Sequence, residues 1–214
     1  MAGDKTTSPI AGESGERARM GHHLLFMRKF FQHRRKIASI WPSSGFMARA
    51  CISKIDFNQA KLIVELGAGT GAITQEIIQR LRRGTRFICI ERDADFLRVL
   101  RTRFKAPIDG GVSIVQGDVK SLTEILQNAD VAEKQVDAFV SGLGTPSLPD
   151  EAIDGIFNAL RWGARPGAVF SNITEVPWYY WNFYRRHFAK VDFQLVPLNI
   201  PPGGVYHCWQ PLAP

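Results

Sequence analysis

Ile63-Val64-Glu65-Leu66-Gly67-Ala68-Gly69-Thr70-Gly71-Ala72-Ile73-Thr74 decides the architecture. A short apolar run carries an acid near its end, passes through three glycines spaced two apart, and continues into a helical pattern. Glycines at such a turn admit tight backbone conformations and let a ligand approach without obstruction from a Cβ. Strand, glycine loop and helix, in that order, form the nucleotide-type binding end of an α/β unit.

The chain alternates on both sides of this stretch. Residues 61–66, 86–91, 112–116, 136–140 and 168–173 read as strands. Residues 72–81, 93–104, 121–128, 150–160 and 177–188 read as the helices between and after them. Residues 191–196 and 205–209 close the chain as two more strands. The link between them holds Pro201-Pro202-Gly203-Gly204 and is short enough to demand an antiparallel hairpin. The alternation predicts an α/β fold, a mostly parallel sheet with helices on both faces.

The 214 residues, 45% hydrophobic and 22% charged, suit one domain with a short extension and exclude a fully disordered chain. No run reaches the roughly 18 uninterrupted apolar residues of a membrane span, and the N-terminus lacks the apolar core of a signal peptide. Cys51, Cys89 and Cys208 are odd in number and far apart. They read as buried hydrophobes in a reducing cytosol, and no metal site is expected. The histidines show neither ligand nor triad spacing.

The net charge of +7 is uneven. Between Arg17 and Lys54 lie nine Lys/Arg and no acid, which leaves the rest of the chain at −2. Such a block seeks a polyanion, either nucleic acid or an anionic membrane. Wound as a helix, residues 22–41 place Leu24, Phe26, Met27, Phe30, Phe31, Ile37 and Trp41 on one side. Arg28, Lys29, Arg35 and Lys36 fall opposite, with Arg34 intruding on the apolar side. A basic amphipathic helix with Phe and Trp suits a lipid interface, though the same face could pack on the domain. Phe26, Phe30, Arg34, Arg35, Trp41, Ser43 and Ser44 are the candidate membrane or substrate residues here. Trp41-Pro42 breaks the helix, and Ser43 or Ser44 is expected to cap the next one. The expected division is a disordered polar leader (1–21), a basic amphipathic extension (22–58) and a catalytic domain (59–214).

Two further acids stand in register with the glycine loop. Glu91 closes the second strand, 20 residues after Gly71, where a carboxylate binds ribose hydroxyls. Asp118, after Gly117, closes the third, where it could accept from an adenine amino group. A dinucleotide fingerprint would read G-x-G-x-x-G, whereas Glu65, Gly67, Gly69 and Gly71 give an acid followed by G-x-G-x-G. That pattern resembles motif I of the class I S-adenosylmethionine-dependent methyltransferases, over residues 63–209. The resemblance implies a Rossmann-like seven-stranded sheet in the order 3-2-1-4-5-7-6, its last strand antiparallel. It implies S-adenosyl-L-methionine as cofactor. The implied binding set is Glu65, Gly67, Ala68, Gly69, Thr70, Gly71, Glu91, Arg92, Gly117, Asp118, Ser141 and Gly142.

The region after the fourth strand bears on the methyl acceptor. Amino-base methyltransferases carry a polar residue there, followed by prolines and an aromatic ring that stacks on the flipped base. Ser141-Gly142-Leu143-Gly144-Thr145-Pro146 has the polar start and no aromatic. The motif I stretch resembles that of the rRNA adenine dimethylases, which append a C-terminal helical domain, whereas this sequence stops just after its expected last strand. An RNA adenine N6-methyltransferase is the alternative reading. A non-enzymatic membrane-binding module is a third.

The leader running into Ile40-Trp41-Pro42-Ser43-Ser44, together with Val140-Ser141-Gly142-Leu143 and Asn199-Ile200-Pro201-Pro202-Gly203-Gly204-Val205-Tyr206, is similar to the bacterial phospholipid and aminolipid N-methyltransferases. Gly144-Thr145 departs from the family where many members continue with proline and an aliphatic residue. The resemblance implies methylation of an aminolipid headgroup, of phosphatidylethanolamine or ornithine lipid type, at the inner face of the cytoplasmic membrane, with nucleic acid not a partner. Ser141, Glu175 and Tyr206 are the catalytic candidates. Tyr179 belongs to an aromatic run suited to stabilise the charged methylated product.

Overall fold

The computed structural model describes residues 42–104, 111–176, 178–199 and 201–213. Phe26, Phe30, Arg34, Arg35 and Trp41 lie outside them, as does the amphipathic helix expected over 22–41.

Strand β1 (Leu62–Leu66) is buried at every position, because it runs between β2 (Arg86–Glu91) and β4 (Val136–Ser141) with helices over both faces. A parallel strand so placed must be apolar nearly throughout, as Leu-Ile-Val-Glu-Leu is. With β3 (Val112–Gln116), β5 (Ala164–Thr174), β6 (Phe188–Val196) and β7 (Gly203–Pro211) it forms a seven-stranded sheet in the order β3-β2-β1-β4-β5-β7-β6. Strand β7 is antiparallel to both its neighbours. The expected topology is the one observed.

Side chains alternate into two layers with the period-two rule of strands. Leu62, Val64, Leu66, Ile88, Ile90, Phe139, Phe170 and Tyr206 join one core, under α4 (Leu122–Asn128), α5 (Asp150–Gly163) and α6 (Trp181–His187). Ile63, Phe87, Cys89, Ala138, Val140, Val169 and Val205 join the other, under α1 (Pro42–Ile52), α2 (Ala72–Ile78) and α3 (Ala94–Arg103).

Three local readings are corrected. Helix α1 begins on Pro42 itself, whose fixed φ and missing N–H suit a first turn. Ser43 and Ser44 therefore lie inside that turn instead of capping it. Trp178 has φ 62° and forms a turn with the next two residues, so the aromatic helix is confined to Trp181–His187. Strand β5 starts four residues earlier than expected. Ala164 pairs with Val136, the register then slips, and Val169 pairs with Ala138, so Arg165-Pro166-Gly167 bulges outward.

That bulge has a purpose in the packing. Arg165 reaches back to form an ion pair with buried Asp137, whose other oxygen accepts the Lys61 and Leu62 backbone N–H groups at 2.7 and 2.8 Å. One carboxylate thereby pins the start of β1 to β4. Replacing Asp137 with Ala strands two backbone donors and is expected to cost about 3 kcal/mol. Arg165→Ala removes only a partly exposed partner and should cost about 1 kcal/mol or less. Urea unfolding of the two variants checks the difference, and equal losses would count against this account.

Candidate active site

Every parallel strand of the sheet's first half delivers a polar group to the same edge. Glu65 is the penultimate residue of β1, Glu91 the last of β2, Asp118 follows β3 and Ser141 ends β4. Ligands in open α/β sheets bind at this carboxyl edge.

The glycine loop is held tightly. Gly67 N donates to Ile90 O at 2.9 Å, and Gly142 N donates to Leu66 O at 3.0 Å. A Cβ on Gly67 would fall 2.2 Å from Leu143 Cδ2, and one on Gly142 would fall 2.7 Å from Gly67 O. The two loops therefore interlock with no space for side chains. Gly69 differs. Its φ of 54° demands glycine, yet a Cβ there would meet nothing within 4 Å. This is the loop's open side. Arg103 braces the outer end, with Nη1 donating to Thr70 O at 2.9 Å.

Glu65 is completely buried. Its Oε2 accepts from Thr74 Oγ1 at 2.7 Å, while Oε1 has no partner. Burial pushes its carboxyl up to about 7, against the pull of the Thr74 hydrogen bond. Glu91 is buried too. Its Oε2 accepts from Gly69 N and its Oε1 from Asp93 N, both at 2.8 Å. A carboxylate has about four acceptor positions, so capacity remains on each oxygen. Asp118 caps the 3₁₀ turn Val119–Ser121 through Lys120 N and meets exposed Arg92 at 3.4 Å. Gly117 N donates to Glu91 O at 3.1 Å, which ties the β2 and β3 ends together.

The acceptor side of the site holds groups that sequence reading missed. Ser141 is fully buried and accepts from Leu143 N at 3.2 Å, with Thr145 Oγ1 3.5 Å away. Thr145 donates to Asn172 Oδ1 at 2.6 Å. The signal for Asn172 is a polar side chain inside an otherwise apolar strand run, which is rare in a core unless it is partnered. Ser147 Oγ and Tyr180 Oη lie 3.0 Å apart, joining the loop after β4 to the aromatic segment after β5.

Other candidates fall differently. Glu175 follows β5 at the same edge and is half-buried. Tyr179 is 55% exposed and stands edge-on to Tyr180 at 5.0 Å. Tyr206 does not face an open wall. It is enclosed by Tyr184, Phe193 and Trp181, with ring centroids 4.6, 4.9 and 6.4 Å away, and burial pushes its phenol up to about 12. It points there because β7 turns that residue toward α6. Among the described residues, no His/Cys/Asp/Glu group could hold a metal.

On the other sheet face, Ser171 Oγ lies 2.8 Å from His207 Nδ1, and His207 Nε2 lies 3.3 Å from Gln194 Oε1, which accepts from Ser53 Oγ at 3.0 Å. Burial first, then Lys54, lowers His207 to about 4.

Strand order, glycine loop and acid placement define a Rossmann-like methyltransferase of the S-adenosylmethionine-dependent class. Residues 63–167 match the methyltransferase domain family. The fold is also that of the O-methyltransferase TomG from Streptomyces achromogenes (TM-score 0.61, 16% identity, covering 86% of this chain and 88% of that one). The chain belongs to the family of the ornithine lipid N-methyltransferase of Singulisphaera acidiphila. It is 44% identical to that protein over 191 residues, covering 88% of this chain and 96% of the relative. Likeness to the ribosomal RNA small subunit methyltransferase A of Mycoplasma capricolum is 34% over 68 residues, 32% of this chain and 23% of that protein. The residues present fit the cofactor of the class. A buried carboxylate oxygen without a partner suits its amino group, and the open flank of Gly69 leaves room beside Glu91.

The two shifted buried groups act on stability with opposite signs. Glu65 has a folded pKa of about 7 above an unfolded 4.5, so its contribution is whole below 4.5 and is lost as pH rises to 7. His207, folded near 4 against 6.5 unfolded, contributes fully above 6.5 and loses that as pH falls to 4. Each shift is worth about 3 kcal/mol. Across pH 4.5–6.5 the two offset, and the wild type should show little net slope from them. Glu65→Gln should make stability rise with pH over this range, and His207→Gln should make it fall. Urea unfolding at a series of pH values reads this directly, and parallel profiles for all three proteins would refute it.

Proposed function

We propose that this chain is a peripheral membrane enzyme that methylates the amino headgroup of an aminolipid, of ornithine lipid or phosphatidylethanolamine type. Its main support is the likeness to a protein named ornithine lipid N-methyltransferase, which spans nearly the whole of both chains.

We assign the cofactor's amino group to Glu65, its ribose hydroxyls to Glu91 and its adenine amino group to Asp118, which Arg92 steadies. The backbone of Gly67, Ala68, Gly69, Thr70 and Gly71, with Gly117, Ser141 and Gly142, forms the floor. When bound, S-adenosylmethionine supplies an activated methyl: the amine lone pair makes the N–C bond, the C–S pair returns to sulfur, and a proton leaves to water. The protein's own work is to hold both reactants in line and keep water out. Ser141 holds the amine. Glu175, at the end of β5, is the candidate to attract the ammonium or take its proton. Tyr179 and its neighbours offer aromatic faces to the methylated cation.

The rim of the site supports contact with a lipid surface, which we take to be the inner face of the cytoplasmic membrane. Trp178, Tyr179, Leu195 and Leu198 are 64, 55, 45 and 66% exposed. They belong to the segment after β5 and to the β6–β7 end, both at the carboxyl edge of β5. Residues 176–184 and 193–214 contain no charged residue. Exposed Trp and Tyr beside aliphatic groups suit the interfacial zone of a bilayer. Among the described residues, no helix is long and apolar enough to cross a membrane.

Lipid extracts incubated with methyl-labelled cofactor and separated by headgroup should show label in an amino lipid. Deletion of residues 1–36 should abolish this in anionic liposomes while cofactor binding persists. Label appearing in rRNA instead, or equal activity on small amines without liposomes, would overturn the reading.

The rim makes a separate expectation. Trp178→Ser combined with Leu198→Ser should weaken binding to anionic liposomes about tenfold or more, with cofactor affinity by calorimetry unchanged. Undiminished sedimentation with liposomes would remove the rim from the account.

A further inference from the structure

Glu65 is held by too little to keep a negative charge in the empty protein. It is completely buried, as is Thr74, whose Oγ1 donates to Glu65 Oε2 at 2.7 Å. Oε1 has no hydrogen-bond partner. Among the described residues, no Lys, Arg or His forms an ion pair with it. The nearest elements offer nothing better. Strand β2 brings Cys89 and Glu91 toward it, and α1 brings Cys51. Across β4 the residue opposite is apolar Val140. Arg49, the cation on α1, is engaged by Glu76 at 3.2 Å. A carboxylate with one neutral donor and an acid nearby takes up a proton in preference to standing charged and alone.

The same residue sits next to the open part of the glycine loop. Glu65 is two residues ahead of Gly67. Glu91 is close enough to act on its charge, and the Glu91 carboxylate accepts from Gly69 N, on the flank where a Cβ would meet nothing. A cation entering beside Gly69 therefore meets two acids, of which Glu65 has the unpartnered oxygen.

We propose that Glu65 carries a proton in the empty enzyme and gives it up to water when the cofactor's ammonium binds, with Thr74 the positioning residue that eases this exchange. The proposal rests on the assignment of the cofactor's amino group to Glu65. The exchange balances: a carboxylic acid and an ammonium come together, a carboxylate paired with that ammonium remains, and one proton leaves to solvent. Burial is the largest influence on the Glu65 carboxyl and holds it up at about 7, and the Thr74 hydroxyl is the strongest influence against it. Thr74 thus acts twice. It occupies Oε2, which leaves Oε1 for the ammonium, and it stabilises the ionised form that the ammonium needs. Without it the acid would keep its proton to higher pH, and cofactor would have to compete with that proton.

Calorimetric titration of the full-length protein with S-adenosylmethionine, repeated in buffers of different ionisation enthalpy, counts the protons exchanged. The wild type should release close to one proton per cofactor at about pH 5.5–6 and about none by pH 7.5, and its affinity should rise about eightfold between pH 5.5 and 6.5 before levelling. Methylthioadenosine keeps the nucleoside and the sulfur but lacks the ammonium, so its binding should release no proton. Equal release with it would assign the proton to Glu91 or Asp118 and overturn the proposal. Glu65→Gln should abolish both the release and the slope. Thr74→Val keeps the shape and deletes the hydroxyl. It should move the levelling point up by about one pH unit and weaken binding at pH 7 about fivefold, and Thr74→Ser should restore both. No release by the wild type near pH 6, an unmoved profile in Thr74→Val, or a Thr74→Ser profile displaced as far as that of Thr74→Val would each count decisively against it. If the variants do not fold, the wild-type proton count with the two ligands decides alone. S-adenosylmethionine binding no tighter than methylthioadenosine at pH 7.5 would fail the assignment of the amino group itself, a result distinct from tighter binding without proton release, which overturns this proposal only.

Discussion

A carboxylate at the core of the sheet, with one oxygen satisfied and the other not, is the constraint around which this molecule is arranged. Strand β1 is covered on both faces, so Glu65 cannot turn to solvent. Thr74 supplies one hydrogen bond, and Oε1 has nothing. Leaving a buried acceptor unmade costs about 1–3 kcal/mol, and more if it is charged. Burial raises the carboxyl's pKa to about 7, so that protonation relieves the cost of a buried charge. A cationic group delivered to that edge would complete the site and displace the proton. The glycine loop makes delivery possible, because Gly69, the one of its three glycines with open space beside it, flanks the same edge.

Register carries this arrangement across the sheet. Leu66 is opposite Ile90 on one side and Ser141 on the other, Ser141 is opposite Asn172, and Asn172 is opposite Tyr206. A one-residue slip anywhere would turn a member of the row to the opposite face. The Asp137 clamp guards against such a slip where β1 begins, and the interlock of Gly67 with Gly142 guards against it where β1 ends. Precision at the edge thus depends on polar contacts at both ends of one strand and not on the loops alone.

The alternation of strands and helices was legible in local patterns: the short apolar runs, the glycine loop, and the Pro/Gly link that forces a hairpin, while the strand order came from the resemblance to the class I methyltransferases. Glu65, Glu91 and Asp118 were legible because they lie at or next to strand ends, and strand ends meet at one edge in this topology. Thr145 and Asn172 were not, since their pairing spans 27 residues and depends on the β4–β5 register. The early start of β5 was hidden because Arg165-Pro166-Gly167 reads as a turn, and only the reach of Arg165 to Asp137 makes it a bulge within a strand. Tyr206 was read as a catalytic candidate from its motif, whereas its facing is set by the β7 alternation that sends it toward Tyr184. The apolar face expected over residues 22–41 falls outside the described residues.

The alternation of β5 and β7 also separates chemistry from scaffolding. Ser171 and His207 are one residue from Asn172 and Tyr206, yet face the opposite way, under α1. A serine 2.8 Å from a histidine nitrogen has the geometry of an activated nucleophile. Two facts argue against that role. Both side chains lie beneath α1, on the sheet face opposite to that of Asn172 and Tyr206, and burial holds the imidazole near 4, where it is a poor proton acceptor at neutral pH. The far nitrogen leads through Gln194 to Ser53, and Cys51 reaches the Ser171 carbonyl at 3.8 Å. The pair therefore works as a polar rivet between α1 and the sheet. On the other face the same spacing of polar groups ends beside the glycine loop instead of under a helix. What separates a hydroxyl at the candidate site from a structural one in this fold is the face to which the strand turns it.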